Sequence, residues 1–202
     1  MIKNVIFDLG NVLLSFNPQD YLRTKIDDEN KVQQVYREIF LSDEWPMLDR
    51  GVVTEEKAIT RMIERSLENG ELIKRCMNNW YEILTPMEES IAILKDVKAR
   101  GYKIFILSNF HDRAYENVTK RCDFFKYFDG GIISYREKLL KPEMEMYNRL
   151  TSCYNVKPSE SIFIDDAKAN IEGAGKIGFK TILFTDAMNL RNELIGLGIL
   201  EK

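Results

Sequence analysis

Val5-Ile6-Phe7-Asp8-Leu9-Gly10-Asn11-Val12-Leu13-Leu14 is the stretch whose reading decides the fold. An apolar run ends in one carboxylate, and a glycine and an asparagine follow. Val, Ile and Phe before Asp8 suit a strand covered on both faces of a sheet. Asp8 then stands at the strand's C-terminal end, the edge at which open α/β sheets hold ligands. A lone Asp after a strand is equally well a turn residue, so its meaning depends on what other segments bring to it.

Outward from this stretch the chain changes character twice. From about Asp20 to Leu84 strand-like runs disappear and helical spacing takes over. Val32, Val35, Tyr36, Ile39 and Phe40 mark one helix face. Thr54 can cap a helix with Glu55 and Glu56 in its first turn and Ile59, Met62, Ile63 and Leu67 on its stripe. Leu72, Ile73, Met77, Trp80, Tyr81 and Leu84 predict one further helix. Thr85-Pro86-Met87-Glu88 has the capping-box pattern, with Pro at the first helical position. Strands then return at Tyr102–Leu107, Gly131–Ser134, Ser161–Ile164 and Lys180–Phe184, alternating with helices. That alternation predicts parallel βαβ units with right-handed crossovers. The expected organisation is a core of residues 1–15 and 85–202 with a helical insertion at 16–84.

Composition narrows the function classes. The chain has 202 residues, enough for one domain carrying an insertion, and its 45% hydrophobic and 30% charged content is that of an ordinary globular protein. A formal net charge of -3 predicts no strong attraction to nucleic acid or anionic membrane. No apolar run approaches the roughly 20 residues of a membrane span. Cys76, Cys122 and Cys153 are scattered and odd in number, which suggests neither a disulfide framework nor a thiolate metal site and fits a cytoplasmic location. His111 is the only histidine, so no multi-histidine metal site is possible.

Three predicted strands end in polar residues: Asp8, Ser108-Asn109 and Asp165-Asp166. In a parallel sheet these ends share an edge, and Lys141, just before a helix, can join them. Clustered carboxylates without imidazole or thiolate suit a hard ion such as Mg²⁺. A lysine and a hydroxyl beside them suit a phosphate.

The order Phe7-Asp8-Leu9-Gly10-Asn11-Val12-Leu13, Leu107-Ser108-Asn109, Lys141-Pro142 and Ile164-Asp165-Asp166 with Asn170-Ile171-Glu172-Gly173-Ala174 resembles the haloacid dehalogenase superfamily. The resemblance implies a doubly wound, parallel-sheet Rossmannoid core. Its strand order would be 5-4-1-2-3, counting core strands along the chain, and the insertion would be a helical cap of the C1 type. Within the superfamily the motifs look most like bacterial sugar phosphatases, including the glucose-1-phosphate phosphatase branch, and the phosphatase domain of soluble epoxide hydrolase. The implied activity is Mg²⁺-dependent hydrolysis of a small phosphorylated metabolite, with a sugar phosphate favoured and a monomer or weak homodimer expected. By this resemblance Asp8 is the nucleophile, and Mg²⁺ is held by Asp8, the Gly10 carbonyl and Asp166. Asp165 would ligate the ion or orient a bound water. Ser108 and the Asn109 N–H would bind phosphoryl oxygens, while Lys141 would stabilise nucleophile and transferring group. Asn170 is either a helix-surface residue or a support for the acidic pair. A non-catalytic phosphate-binding module is the alternative; mutase and dehalogenase chemistry fit less well.

Gly10 departs from the phosphatase pattern. It occupies the place of a second Asp that acts as general acid/base, help typically worth 10²–10⁴-fold. Either the substrate has a good leaving group, or another group such as His111 substitutes, or the domain is weakly active. In the insertion Trp45, Met47, Asp49, Arg50, Trp80 and Tyr81 are the distinctive residues, and the Asp49-Arg50-Gly51 turn could face the site.

Overall fold

The computed structural model describes residues 1–201. Its centre is a parallel sheet of β1 (Asn4–Phe7), β4 (Lys103–Ser108), β5 (Gly130–Ile133), β6 (Ser161–Asp165) and β7 (Lys180–Leu183), in the order β5-β4-β1-β6-β7. Counting core strands along the chain and reading from the β7 edge, this is 5-4-1-2-3, as the resemblance implied. The register sets Phe7 opposite Ile106 on one side and Ile164 on the other. Asp8, Ser108 and Asp165 therefore emerge at one edge. The Asp8 N–H extends the ladder by donating to the Ile164 carbonyl at 2.9 Å.

The strand interiors are apolar because both faces are covered. Successive side chains alternate between faces. Val5, Phe7, Ile104, Ile106, Ile162 and Ile164 belong to one buried cluster. Ile6, Phe105, Leu107 and Phe163 belong to the other, beneath α9 (Met144–Tyr154) and α10 (Lys168–Ile177). The first cluster is covered by α6 (Glu88–Ala99) and α11 (Ala187–Gly196) and runs on without a break into the helical segment. The chain's remaining core helix is α7 (Asp112–Arg121), and a short α8 (Ser134–Glu137) follows β5.

The helical segment comprises α1 (Pro18–Arg23), α2 (Glu29–Phe40), α3 (Glu44–Asp49), α4 (Glu55–Arg65) and α5 (Gly70–Met77). It leaves and rejoins the core through two short strands, β2 (Leu14–Ser15) and β3 (Thr85–Pro86), which pair antiparallel. α2 buries Val32, Val35, Ile39 and Phe40 as its spacing predicts, and Thr54 Oγ accepts the Lys57 N–H to cap α4. Phe124, Phe125 and Phe128 stack on one another, with Phe124 buried. No helix among the described residues is long and apolar enough to cross a membrane.

Three local expectations are corrected. Thr85-Pro86 does not open a helix. The pair lies extended against Leu14-Ser15, the Met87 N–H donates to the Leu13 carbonyl, and α6 begins only at Glu88 with no side-chain cap. Ring closure to the ribbon outweighs the local capping pattern. The helix expected to run through Met77 to Leu84 breaks at Asn78-Asn79. Asn79 is left-handed at φ 56, which asparagine tolerates. A 3₁₀ turn over Trp80–Ile83 follows, and Trp80 swings into an aromatic cluster. Leu67 lies beyond the end of α4 and is exposed rather than part of its stripe.

Gly131 is required by strand spacing. An added Cβ would stand 2.7 Å from Ile106 Cβ and 2.8 Å from the Ile106 carbonyl oxygen, so the β4–β5 pair would have to shift. Gly131→Ala is expected to cost about 1–3 kcal/mol, the usual range for overpacking. Thermal unfolding checks this as a fall in Tm of several degrees.

Candidate active site

Lys141 is the point on which the site converges. Its side chain is 1% exposed, and its ammonium lies 2.9 Å from Asp8 Oδ1 and 2.6 Å from Asp165 Oδ2. Burial disfavours the charge on Lys141, but the two carboxylates outweigh it and raise the pKa. Asn109 fixes the loop that carries the lysine. Its side-chain oxygen accepts the Lys141 N–H at 2.8 Å, and its amide donates to the Lys141 carbonyl at 3.1 Å. Asp165 is wholly buried and fully occupied. Besides Lys141 it accepts from the Ala167 N–H at 2.8 Å and from Asn170 Nδ2 at 3.0 and 3.1 Å. Asn170 is thus a support for the acidic pair, not a surface residue. The bonds to Asp165 suit it to holding Lys141, with little capacity left for a metal.

Asp8 and Asp166 face the open side of this arrangement. One oxygen each from Asp8, Asp165 and Asp166 lies within 4.8 Å of the others. Asp166 Oδ2 accepts from Asn11 Nδ2 at 3.1 Å, and Asn11 turns the loop after β1 in a left-handed conformation at φ 54. Burial raises the pKa of Asp8 and of Asp166. Asp165 adds to the rise in both, and Lys141 opposes it. Three carboxylates balanced by one ammonium leave an excess of negative charge. That donor set, all oxygen with no sulfur or imidazole, fits a hard divalent cation. Ser108 Oγ is buried at this edge beside Asp8, whose raised pKa its hydrogen bond opposes, and the same hydroxyl can turn to an incoming oxyanion.

The haloacid dehalogenase-like hydrolase model matches residues 2–178. The chain belongs to that family. A sesquiterpene phosphatase of Aspergillus oryzae is 23% identical over 192 residues, covering 95% of this chain and 94% of the relative. D-ribitol-5-phosphate phosphatase of Bacteroides thetaiotaomicron is 23% identical over 214 aligned positions, covering 96% and 97%. Among solved structures, a family enzyme of Bacteroides thetaiotaomicron in complex with magnesium and inorganic phosphate matches with a TM-score of 0.72. It is 23% identical and covers 92% of this chain and 95% of that one. At that identity the match shows the shared fold.

In this HAD-like hydrolase a cavity of about 130 Å³ opens at the loops that follow Asp8 and Ser108. Gly10 and Asn109 line it from the core, Trp45, Asp49 and Trp80 from the helical segment, and His111 from the start of α7. A larger cleft of about 450 Å³ near Glu55, Lys74 and Arg113 holds none of the motif residues. His111 does not supply the missing acid. It is 2% exposed and wedged between Trp45 and Trp80, with ring centroids at 4.4 and 4.8 Å. Burial pushes its pKa down to about 3, so it is neutral near pH 7. Its Nε2 lies 3.3 Å from Asp49 Oδ1.

Of the distinctive residues in the insertion, Trp45, Asp49 and Trp80 reach the cavity; Met47, Arg50 and Tyr81 do not line it. Arg50 instead clasps the core. It makes a two-pronged ion pair with Glu143 and donates to the Lys138 carbonyl at 3.1 Å. Ser134 Oγ donates to the Asp49 carbonyl and accepts the Phe110 N–H at 2.8 Å. Gly51 completes the clasp: φ is 67°, and an added Cβ would stand 2.6 Å from the Tyr135 carbonyl. The roles of Asn11, Glu143 and Ser134 carry no sequence signal, since each depends on a partner far along the chain.

Breaking the buried triad should be costly. Lys141→Met leaves Asp8 and Asp165 buried beside each other without a counter-charge. The expected loss is about 3–5 kcal/mol of folding stability at neutral pH, the range for removing one partner of a buried pair. Urea unfolding measures it.

Proposed function

We propose that the protein is a Mg²⁺-dependent phosphomonoesterase of small phosphorylated metabolites, with sugar and polyol phosphates the favoured class. The observation that carries this reading is Asp8. It is a mostly buried carboxylate at a strand end, paired with Lys141 and adjoining two further carboxylates and the Ser108 hydroxyl. In this reading an Asp8 oxygen attacks phosphorus in line, the ester bond breaks, and an aspartyl-phosphate forms that water then hydrolyses. Lys141 neutralises charge on the nucleophile and the transferring group. The Ser108 hydroxyl and the Asn109 N–H donate to phosphoryl oxygens. Asp8, the Gly10 carbonyl and Asp166 would hold Mg²⁺, with Asp165 and Asn170 behind them. When bound, the ion screens repulsion between the Asp8 carboxylate and the phosphate.

The helical insertion at 16–84 acts in this reading as a cap that selects the leaving group. Supporting this, Trp45, Asp49 and Trp80 meet Gly10 and Asn109 around one small cavity. Aromatic walls with three polar side chains, Asp49, Asn109 and His111, suit a compact polyol, whose C–H faces stack and whose hydroxyls take hydrogen bonds.

A panel of sugar, polyol and nucleoside monophosphates, with and without Mg²⁺, tests the reading. Phosphate release is expected with Mg²⁺ only, and Asp8→Asn abolishes it while the protein still folds. Release of chloride from 2-chloropropionate without metal would overturn it in favour of dehalogenation. Independently of turnover, Mg²⁺ should raise Tm, by an amount equivalent to about 2.7 kcal/mol at a hundredfold excess over Kd. Asp166→Asn should remove most of that rise.

A further inference from the structure

Gly10 leaves the phosphatase reading without a proton donor, and the helical segment brings a carboxyl to that place. We propose that Asp49 is the general acid and base of the reaction, acting across the cavity from Gly10. The inference rests on the phosphatase reading above and goes beyond it by assigning the missing role.

Four observations support it. First, Asp49 is the only carboxyl among the residues lining the cavity that Gly10 and Asn109 share, and Asp8 is near enough for its charge to act on it. Second, it is held in place rather than swinging freely. Its carbonyl takes the Ser134 hydroxyl, and the next two residues are clasped to Glu143 and Lys138. Third, its carboxyl is not consumed by a cation. The group facing it at 3.3 Å is the buried His111 ring, and Arg50 is turned away to Glu143. Fourth, its surroundings favour the protonated form. Burial, and then the charge of Asp8, push the Asp49 carboxyl up to about 8, against an opposing effect of Lys141. The neutral imidazole of His111 adds no positive charge that would lower it. An acid with a pKa near the working pH is the kind best suited to proton transfer.

The chemistry balances. As an Asp8 oxygen bonds to phosphorus, the bond from phosphorus to the ester oxygen breaks. The Asp49 proton passes to that oxygen, which leaves as a neutral alcohol. Asp49, now a carboxylate, takes a proton from the water that attacks the aspartyl-phosphate. The bond from phosphorus to Asp8 breaks, returning Asp8 as a carboxylate, inorganic phosphate as product and Asp49 protonated. The substrate then needs no unusually good leaving group, so ordinary alkyl phosphates of polyols become accessible.

Asp49→Asn, close in shape to the protonated acid, tests the assignment with two esters. One is the best alkyl monophosphate of the panel; the other is p-nitrophenyl phosphate, whose phenolate leaves without a proton. For the alkyl ester kcat/KM should fall by ~10²–10⁴-fold, and for p-nitrophenyl phosphate the drop in kcat/KM, which reports phosphoryl transfer to Asp8, should be under about tenfold. With p-nitrophenyl phosphate the variant should also accumulate phosphorylated Asp8, seen by mass spectrometry after acid quench, because the base for the second step is gone. In the wild type, kcat/KM for the alkyl ester should decline on the alkaline side as Asp49 loses its proton, and the variant should lack this limb. Equal losses on both esters, or an alkaline limb that survives the substitution, would overturn the role of Asp49 and leave the phosphatase reading intact. A wild type inactive on every monophosphate, or an Asp8→Asn variant that still releases phosphate, would overturn the phosphatase reading and Asp49 with it.

Discussion

The ammonium of Lys141, buried between Asp8 and Asp165, is the interaction on which the rest of the site depends. Two carboxylates at the ends of adjacent strands would repel each other in a medium that screens poorly. The lysine makes their proximity possible. To do so it must itself be buried, which is tolerable only because both carboxylates, Phe163 beneath it and the Asn109 side chain hold it in one place. Three separate stretches are thereby committed to one geometry: the ends of β1 and β6 and the loop before α9. Asn170 and the Ala167 N–H finish the arrangement by occupying what remains of Asp165.

The sheet makes this geometry rigid. Side chains alternate into two buried clusters, so a one-residue slip of any central strand would move its apolar residues to the wrong face and displace its terminal carboxylate. The site is built at the ends of such strands, where backbone position is fixed by packing on both sides.

The helical segment is tied to this edge by polar contacts that lie beside the cavity. Arg50 to Glu143, Lys138 to the Gly51 carbonyl and Ser134 to the Asp49 carbonyl all join one turn of the insertion to the stretch from β5 to α9. Lys141 belongs to that same stretch. The residues that seat the insertion and those that carry Lys141 therefore sit on one short piece of chain. The aromatic wall of Trp45, Trp80 and His111 shares one cavity with Gly10 and Asn109.

Sequence alone determined the five strands, their parallel arrangement and the polar residues at their ends. Apolar runs closed by Asp8, Ser108 and Asp165 are local signals, and a parallel sheet necessarily gathers such ends on one edge. It also determined that Gly10 lacks a carboxyl. Tertiary structure alone decided how those groups share their bonds: Lys141 bridging two carboxylates, Asn109 gripping the lysine's backbone, and Asn170 turned onto Asp165. It overrode two local patterns, the capping box at Thr85 and the helix through Asn79, because pairing with Leu14-Ser15 and burial of Trp80 outweigh preferences set within one turn. It also set Asp49, at the end of α3, against His111, just before α7, residues whose separation along the chain gives no hint of contact. The charge state of a carboxyl depends on its burial and on the charges around it, and those are properties of the assembled edge, not of any segment.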